Sequence, residues 1–399
     1  MRWSFLIGIL FGLSAFAQPV RFDFETGKEG CKAYLRLPGR EVRAVLYCHQ
    51  NMTEEVLFRS AVFTHQMDSL GVAMAFIQRG SQNWDVSGGC QERFEAIMQA
   101  FAVGTGHPEI ATAPVIPFGH SAQATFPWNF AAWNPERTLC IISYHGDAPR
   151  TNLCGYGGAN VEWGRTRNID RIPGLMVMGE YEWLEARLLP ALAFQIMYPD
   201  SRISFLCDAG KGHFDLCPET QDYIARFVSK ALEDPRPEGG VRYSRWSEDG
   251  FESDDIHDKF WYQDEEMAAR TRARYAETRG KKMQYVSARL NGKLLTYDPE
   301  RHVKINADIT GDTFTLEPVF VDENRAVLSG DHAAVRPRVT LISGPAIQVG
   351  EYTFRVDPDY FGRDPKRQWK GITICVEADG DDTYKPAVQE LNLNGVNLK

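Results

Sequence analysis

Ser121 stands in Pro117-Phe118-Gly119-His120-Ser121-Ala122-Gln123, after the apolar stretch 113–116 and at the head of an apolar, helix-like run. A serine hydroxyl is a weak nucleophile until a base takes its proton and a third group orients that base. Small residues around one serine, between a strand and a helix, describe a nucleophile elbow. The tight turn lifts the hydroxyl clear at the carboxyl edge of a sheet, and the helix aims N–H groups and its positive dipole end at a developing oxyanion. Gly-x-Ser alone is a common coincidence, so its weight depends on partners. The candidate base is His213, in Asp208-Ala209-Gly210-Lys211-Gly212-His213-Phe214, where two glycines leave room for a turn. The candidate acid is Glu182, in Met178-Gly179-Glu180-Tyr181-Glu182, with Glu180 and then Asp147 as alternatives. Asp208 and Asp215 flank His213 too closely to be favoured as its orienting partner. The bland readings are a turn serine and a cap or buried histidine.

These three groups are useful only if the fold carries them to one place. From about residue 20 to 234 short apolar strands alternate with amphipathic helices, which predicts a mainly parallel sheet covered on both faces. Strands are expected over 44–48, 71–77, 115–118, 139–144, 175–178 and 203–207. Thr53-Glu54-Glu55 reads as a helix cap with acids in the first turn. Phe94, Ile97, Met98 and Phe101 share one helical face, and Pro218 opens the closing helix. Ser121, Glu182 and His213 then all fall at carboxyl ends of parallel strands, where an open α/β sheet has its ligand crevice. Residues 235–250 read as a linker, beginning Pro235-Arg236-Pro237-Glu238-Gly239-Gly240. Residues 251–399 change pattern: one helix over 264–277, then short strands between turn signals, which predicts a smaller β-sandwich-like domain.

Across roughly residues 40–234 the chain resembles the α/β-hydrolase family, whose order of nucleophile, acid and histidine matches Ser121, Glu182 and His213. His49-Gln50-Asn51-Met52 occupies the place of that family's oxyanion loop. The resemblance implies that the backbone N–H groups of Asn51 and Ala122 hold the oxyanion. Two departures stand near the chemistry. Gln123 replaces a small residue, so the elbow helix is expected to pack differently, and Gln50 replaces a glycine of the oxyanion loop. Either glutamine could instead serve specificity.

Residues 1–17 combine Arg2, an apolar run and Ala15-Phe16-Ala17, which together describe a secretory signal peptide. The expected mature chain (18–234 catalytic, 235–250 linker, 251–399 sandwich-like) is therefore exported, periplasmic or extracellular, with no membrane span. A net charge of −9 without Lys/Arg blocks argues against nucleic acid as a partner. Eight cysteines without a C-x-x-C pair give no zinc or redox spacing, and an exported chain predicts one or two disulfides. Cys48, Cys140 and Cys207 lie in apolar runs and read as buried thiols. His49, His120 and His145 also lie near strand ends, but no ligand spacing supports a metal, and no glycine pattern supports a nucleotide. No metal and no cofactor are expected.

For the substrate, Trp84, Trp128 and Trp163 with Arg79 and Arg165 fall in or near loops over the active edge, beside the candidates Gln50 and Gln123. Aromatic rings stack on sugars and an arginine can hold a carboxylate. The rival reading makes Trp128 core and the arginines solvated. The segment 146–172 is too polar for the apolar lid of a lipase. The chain thus resembles bacterial carbohydrate esterases that remove acetyl, methyl or aromatic acyl groups from polysaccharides. A peptidase or amidase on the same scaffold, or a non-catalytic glycan-binding protein, are the alternatives. The expected partner is a small-molecule or polysaccharide ester.

Overall fold

The computed structural model describes residues 20–24, 31–78, 84, 88–146, 148–149, 169–182, 184–214, 216–242, 259–278, 280–296, 305–322, 324, 326–328, 336–357 and 371–394. The signal segment, and the candidates Arg79, Asp147, Trp163 and Arg165, lie outside these residues.

Eight strands form the principal sheet: β1 (Val20–Phe24), β2 (Cys31–Arg36), β3 (Ala44–His49), β4 (Val72–Gln78), β5 (Val115–His120), β6 (Ile141–Tyr144), β7 (Pro173–Gly179) and β8 (Arg202–Asp208). Their order is β1-β2-β4-β3-β5-β6-β7-β8. The β1–β2 and β2–β4 pairs are antiparallel, and from β4 through β8 every neighbour is parallel. This is the α/β-hydrolase fold. Strands β3 to β7 are buried on both faces, which is why they read as unbroken apolar runs.

Helices cover the two faces. One core joins Leu46, Cys48, Met74 and Phe76 to α1 (Met52–Arg59), α2 (Ala61–Leu70), α5 (Leu184–Met197) and α6 (Pro218–Glu233). The alternate side chains Val45, Tyr47, Ala73 and Ala75 face α3 (Cys90–Thr105) and part of α4 (Phe126–Trp133). The strand period of two thus serves two cores at once. Because the chain passes from β3 outward to β4 and returns to β5 on the other side of β3, the loops after β3 and β5 diverge and open a crevice.

Two local expectations are corrected. Helix α1 begins at Met52, so Asn51 holds the cap position and Thr53 lies inside the first turn. The Asn51 side chain leaves the cap and donates to His120 O at 2.7 Å. Ser121 does not open an α-helix directly: Ser121–Gln123 forms one 3-10 turn, and α4 starts only at Phe126. Pro127 explains the delay, since a residue without an N–H is accommodated in a helix's first turn and disrupts its interior.

After α6 the chain stays tied to this body. Arg236 donates to Pro135 O and Thr138 O, and Arg242 to Pro199 O and Ser201 O. Strands β9 (Val241–Arg242) and β10 (Trp261–Tyr262) pair, and helix α7 (Glu265–Ala276) follows, capped by Asp264 on Met267 N. Phe260, Tyr262, Met267 and Ala268 belong to the same apolar core as α5 and α6. Although it follows the linker in sequence, this segment packs on the principal sheet.

The remaining strands are β11 (Tyr285–Leu290), β12 (Lys293–Leu294), β13 (Ile305–Asp308), β14 (Thr313–Val321), β15 (Arg338–Ser343), β16 (Ala346–Gln348), β17 (Thr353–Val356), β18 (Gly371–Ala378) and β19 (Ala387–Asn394). They make two sheets, β12-β11-β14-β17-β16 and β13-β19-β18-β15, enclosing a separate apolar core. This sandwich rests on α1 and on the loops after β7 and β8. Glu55 Oε1 accepts from Gly344 N at 3.3 Å, Tyr181 Oη donates to Pro386 O at 2.9 Å, and Lys385 Nζ to Glu180 Oε1 at 3.0 Å. Lys211 and Glu377 form a buried ion pair at 3.2 Å, which Arg338 joins at 2.9 Å.

Cys48, Cys90, Cys140, Cys207, Cys217 and Cys375 are buried and are not joined in disulfides with one another. The disulfide expectation therefore falls on Cys31 and Cys154, whose side chains lie outside the described part of the chain. No helix among the described residues is long and apolar enough to cross a membrane.

The Lys211–Glu377 pair yields a stability prediction. Glu377→Ala leaves Lys211 and Arg338 facing one another without the carboxylate between them. Removing one partner of a buried pair costs about 3 kcal/mol. The variant should lose a matching part of its urea midpoint, and an unchanged midpoint would show that solvent screens the pair.

Candidate active site

The elbow is built by close packing. Ser121 has φ 53, in the left-handed region that a residue with a Cβ rarely adopts. The turn closes because Gly119 and Gly146 have no side chains. A Cβ on Gly119 would lie 2.1 Å from Gln123 O, and one on Gly146 would lie 1.9 Å from the Ala124 Cβ. The peptide groups of the turn are held from outside: His120 N donates to Glu54 Oε1 at 2.7 Å, and His120 O accepts from Asn51 Nδ2.

Three strand ends bring the predicted groups into hydrogen-bond contact. Ser121 Oγ lies 2.7 Å from His213 Nε2, and His213 Nδ1 lies 2.8 Å from Glu182 Oε2. The Glu182 side chain is 4 % exposed and the His213 ring 23 %, so the acid is buried while the base remains reachable. Since Glu182 only accepts, Nδ1 of His213 carries the proton, and Nε2 of the neutral ring accepts from the serine hydroxyl. Burial pushes the Glu182 carboxyl up. Donation from His145 and His213 outweighs that, and the net result is an acid held well below the usual carboxylate range. Glu180 is committed elsewhere, with Oε1 on Lys385 and Oε2 accepting from Gly210 N at 2.8 Å.

Two histidines that sequence reasoning treated only as spurious metal ligands belong to this site. His145 Nδ1 lies 2.5 Å from Glu182 Oε1 and 3.0 Å from His213 O. His120 Nε2 lies 2.7 Å from the same His213 O. Burial, then the neighbouring His213 and His145, push the His120 imidazole well below the ordinary histidine range, so its ring is neutral. One nitrogen each from His120, His145 and His213 lies within 4.8 Å of the others. His120 Nε2, His145 Nδ1 and both nitrogens of His213 serve the His213 carbonyl, Glu182 and Ser121, so a metal ion bound through those atoms would have to displace that network. His120 ends β5 and His145 follows the neighbouring parallel strand β6, and that placement was the available signal. His49 stands apart, packed on Phe126 at 4.4 Å between ring centres.

Of the aromatic candidates, the two that are described, Trp84 and Trp128, do not form a platform. Trp128 is wholly buried in the core, its ring 2.8 Å from where a Cβ on Gly174 would lie. Trp84 is 3 % exposed and enclosed by Phe94, Phe126, Phe130 and Trp133. A ring already covered on its faces cannot stack on a sugar, so both are corrected to core residues. Gln123 is also buried, and its Oε1 has no hydrogen-bond partner among the described residues. Gln50 is half-buried, and its amide donates to Ile77 O at 2.8 Å.

No protein-family model and no curated protein matches the sequence. Solved structures that resemble it include a Thermus thermophilus protein, at 18% identity and TM-score 0.38, over 54% of this chain and 99% of that one. Others are the fluorophosphonate-binding serine hydrolase F of Staphylococcus aureus (12%, 0.40, 54% and 99%) and the esterase domain of a Rhodothermus marinus protein (16%, 0.35, 53% and 96%).

Glu54 supplies a pH prediction. It is fully buried, its Oε2 has no partner among the described residues, and burial raises its carboxyl well above the ordinary 4.5. A raised folded-state pKa means the native state binds the proton more tightly. Its stabilising contribution is complete below the unfolded value and declines as pH rises through the folded value. Glu54→Gln keeps a neutral acceptor for His120 N. Relative to wild type, the variant should gain stability progressively as pH rises above the ordinary carboxyl range. Parallel urea midpoints across that rise would refute a protonated Glu54.

Proposed function

We propose that this protein is a serine hydrolase that cleaves carboxylic esters through an acyl-enzyme, with Ser121, His213 and Glu182 as its triad. The observation that carries the reading is the unbroken relay from Ser121 Oγ through the His213 ring to a buried, ionised Glu182. Ser121 attacks the ester carbonyl while His213 Nε2 takes its proton. The same nitrogen then gives the proton to the departing alcohol. Glu182 keeps the tautomer and stabilises the imidazolium formed in between. Water, activated by His213, attacks the acyl-serine, releasing the acid and restoring the enzyme.

Backbone amides of Ala122 and Asn51 would hold the oxyanion. Ala122 follows the nucleophile, and its residue is exposed beside half-buried Ser121. The Gln50 amide is committed to Ile77 O, so the donor on the loop after β3 lies beyond it, at Asn51. The Asn51 side chain on His120 O holds that loop against the elbow. Such donors are each worth about 10²–10³ in rate.

The substrate reading is an ester on a polysaccharide, either an acyl ester such as acetyl or a methyl ester, met outside the cytoplasm. It rests on the signal-like N-terminus, the polar segment 146–172 and the appended sandwich. The triad serves amides equally well, so a peptidase or amidase remains the second reading.

Wild-type protein should be labelled by a fluorophosphonate probe. Ser121→Ala should abolish labelling and lower kcat by roughly 10⁴–10⁶ while leaving the fold intact. Failure of the folded wild type to react would sink the proposal. Release of acetate, methanol or hydroxycinnamate from polysaccharide esters, set against release of amines from peptides, decides between the two bonds.

A further inference from the structure

His145 follows β6, which supplies none of Ser121, His213 or Glu182, yet it reaches the same acid as His213. Each oxygen of Glu182 faces one imidazole, Oε2 that of His213 at 2.8 Å and Oε1 that of His145 at 2.5 Å. Gly179 N adds a longer contact to Oε1 at 3.3 Å. The His145 Nδ1 is also 3.0 Å from the backbone carbonyl of His213, which His120 Nε2 approaches from the side of the nucleophile at 2.7 Å. Both neighbours of the His145 Nδ1 accept hydrogen bonds, so that nitrogen carries the proton.

The backbone is strained to achieve this. His145 has φ 48, one of the few non-glycine residues in the left-handed region, a property it shares with Ser121. Its ring stacks on Tyr144 at 4.0 Å and 11°, and the Tyr144 hydroxyl lies 3.4 Å from Asp208 Oδ2. Arg274 of α7 and Thr220 of α6 hold Asp208 Oδ1, both at 2.8 Å. The ring is therefore fixed from below and aims at one carboxylate and one carbonyl.

We propose that His145 is a positioning residue, a second imidazole on the triad acid that orients Glu182 and, with His120, fixes the backbone from which His213 projects. The assignment rests on the triad reading above. A carboxylate bound at one oxygen can turn about its last torsion. One bound at both presents a fixed lone pair to His213 Nδ1, and the clamped carbonyl stops the base from drifting away from Ser121 Oγ. Misplacement of a catalytic group by about 1 Å costs on the order of 10²-fold in rate.

The test uses the full-length protein with His145→Ala and His145→Asn, since the asparagine amide N–H can stand where the imidazole Nδ1–H stood. Labelling rate by a fluorophosphonate, kcat and KM on an activated ester, and near-ultraviolet circular dichroism are measured for each. His145→Ala should lose about tenfold to a hundredfold in labelling rate and in kcat at little-changed KM. His145→Asn should recover most of that loss. If His145→Ala does not fold, His145→Asn alone decides, by retaining activity within a few-fold of wild type. Wild-type rates in folded His145→Ala, or an Asn variant as slow as the Ala variant, would overturn the assignment and leave the triad standing. A wild type that is not labelled at all removes the triad reading, and this assignment with it.

Discussion

Ser121 holds a left-handed backbone conformation, and much of the surrounding structure exists to make that tolerable. The conformation costs a side-chain-bearing residue roughly 1–2 kcal/mol, so it persists only where neighbours over-determine it. Gly119 and Gly146 allow the turn to close onto Gln123 and Ala124 without a clash. Glu54 and Asn51, both from the segment after β3, hold the His120 peptide groups just before the serine. The backbone of Ser121 is therefore set by the loop that also carries the proposed oxyanion donor. Movement of either would disturb both, which suits a reaction in which attack and charge stabilisation occur at one carbonyl.

Two buried carboxyl groups on this edge sit in opposite electrostatic states. Glu54 has only backbone donors, from His120 N and its own peptide, and burial outweighs them and favours its neutral form. Glu182 is nearly as buried, but two imidazoles donate to it and the ionised form prevails. The contrast follows from the imidazoles facing Glu182, through charge and hydrogen bonding, rather than from depth. It separates a structural acid beside the elbow from one able to stabilise a cation on His213.

The parallel strands were legible in the sequence because burial on both faces produces continuous apolar runs, and the observed limits extend the expected ones by only a residue or two at most ends. Ser121, Glu182 and His213 were legible because each closes such a run. The structure-only features all depend on contacts distant in sequence. Trp84 and Trp128 looked like loop aromatics, but the packing of α4 against the sheet encloses them. His120 and His145 were visible at strand ends, while their shared target, the His213 carbonyl, becomes apparent only when β8 lies two strands away from β6. Thr53 does not cap because α1 begins at Met52, and Asn51 at the cap position turns its amide outward to donate to His120 O, leaving the helix's first N–H groups without a side-chain acceptor at the cap.

The sandwich meets the principal-sheet body at the two loops that carry Glu182 and His213. Glu390 accepts from Phe214 N at 2.8 Å, one residue past His213, and Lys211 lies two residues before it in a buried pair with Glu377. Tyr181 and Glu180 bind the sandwich immediately before Glu182. Loops carrying an acid and a base are ordinarily the least constrained parts of such a fold, since they face solvent and bury little apolar surface. Here ion pairs and backbone hydrogen bonds from β18, β19 and the turn between them replace that missing burial. The second module thus acts on the site through backbone position, whether or not it also contacts substrate. The sandwich is therefore part of what holds His213 in register with Ser121.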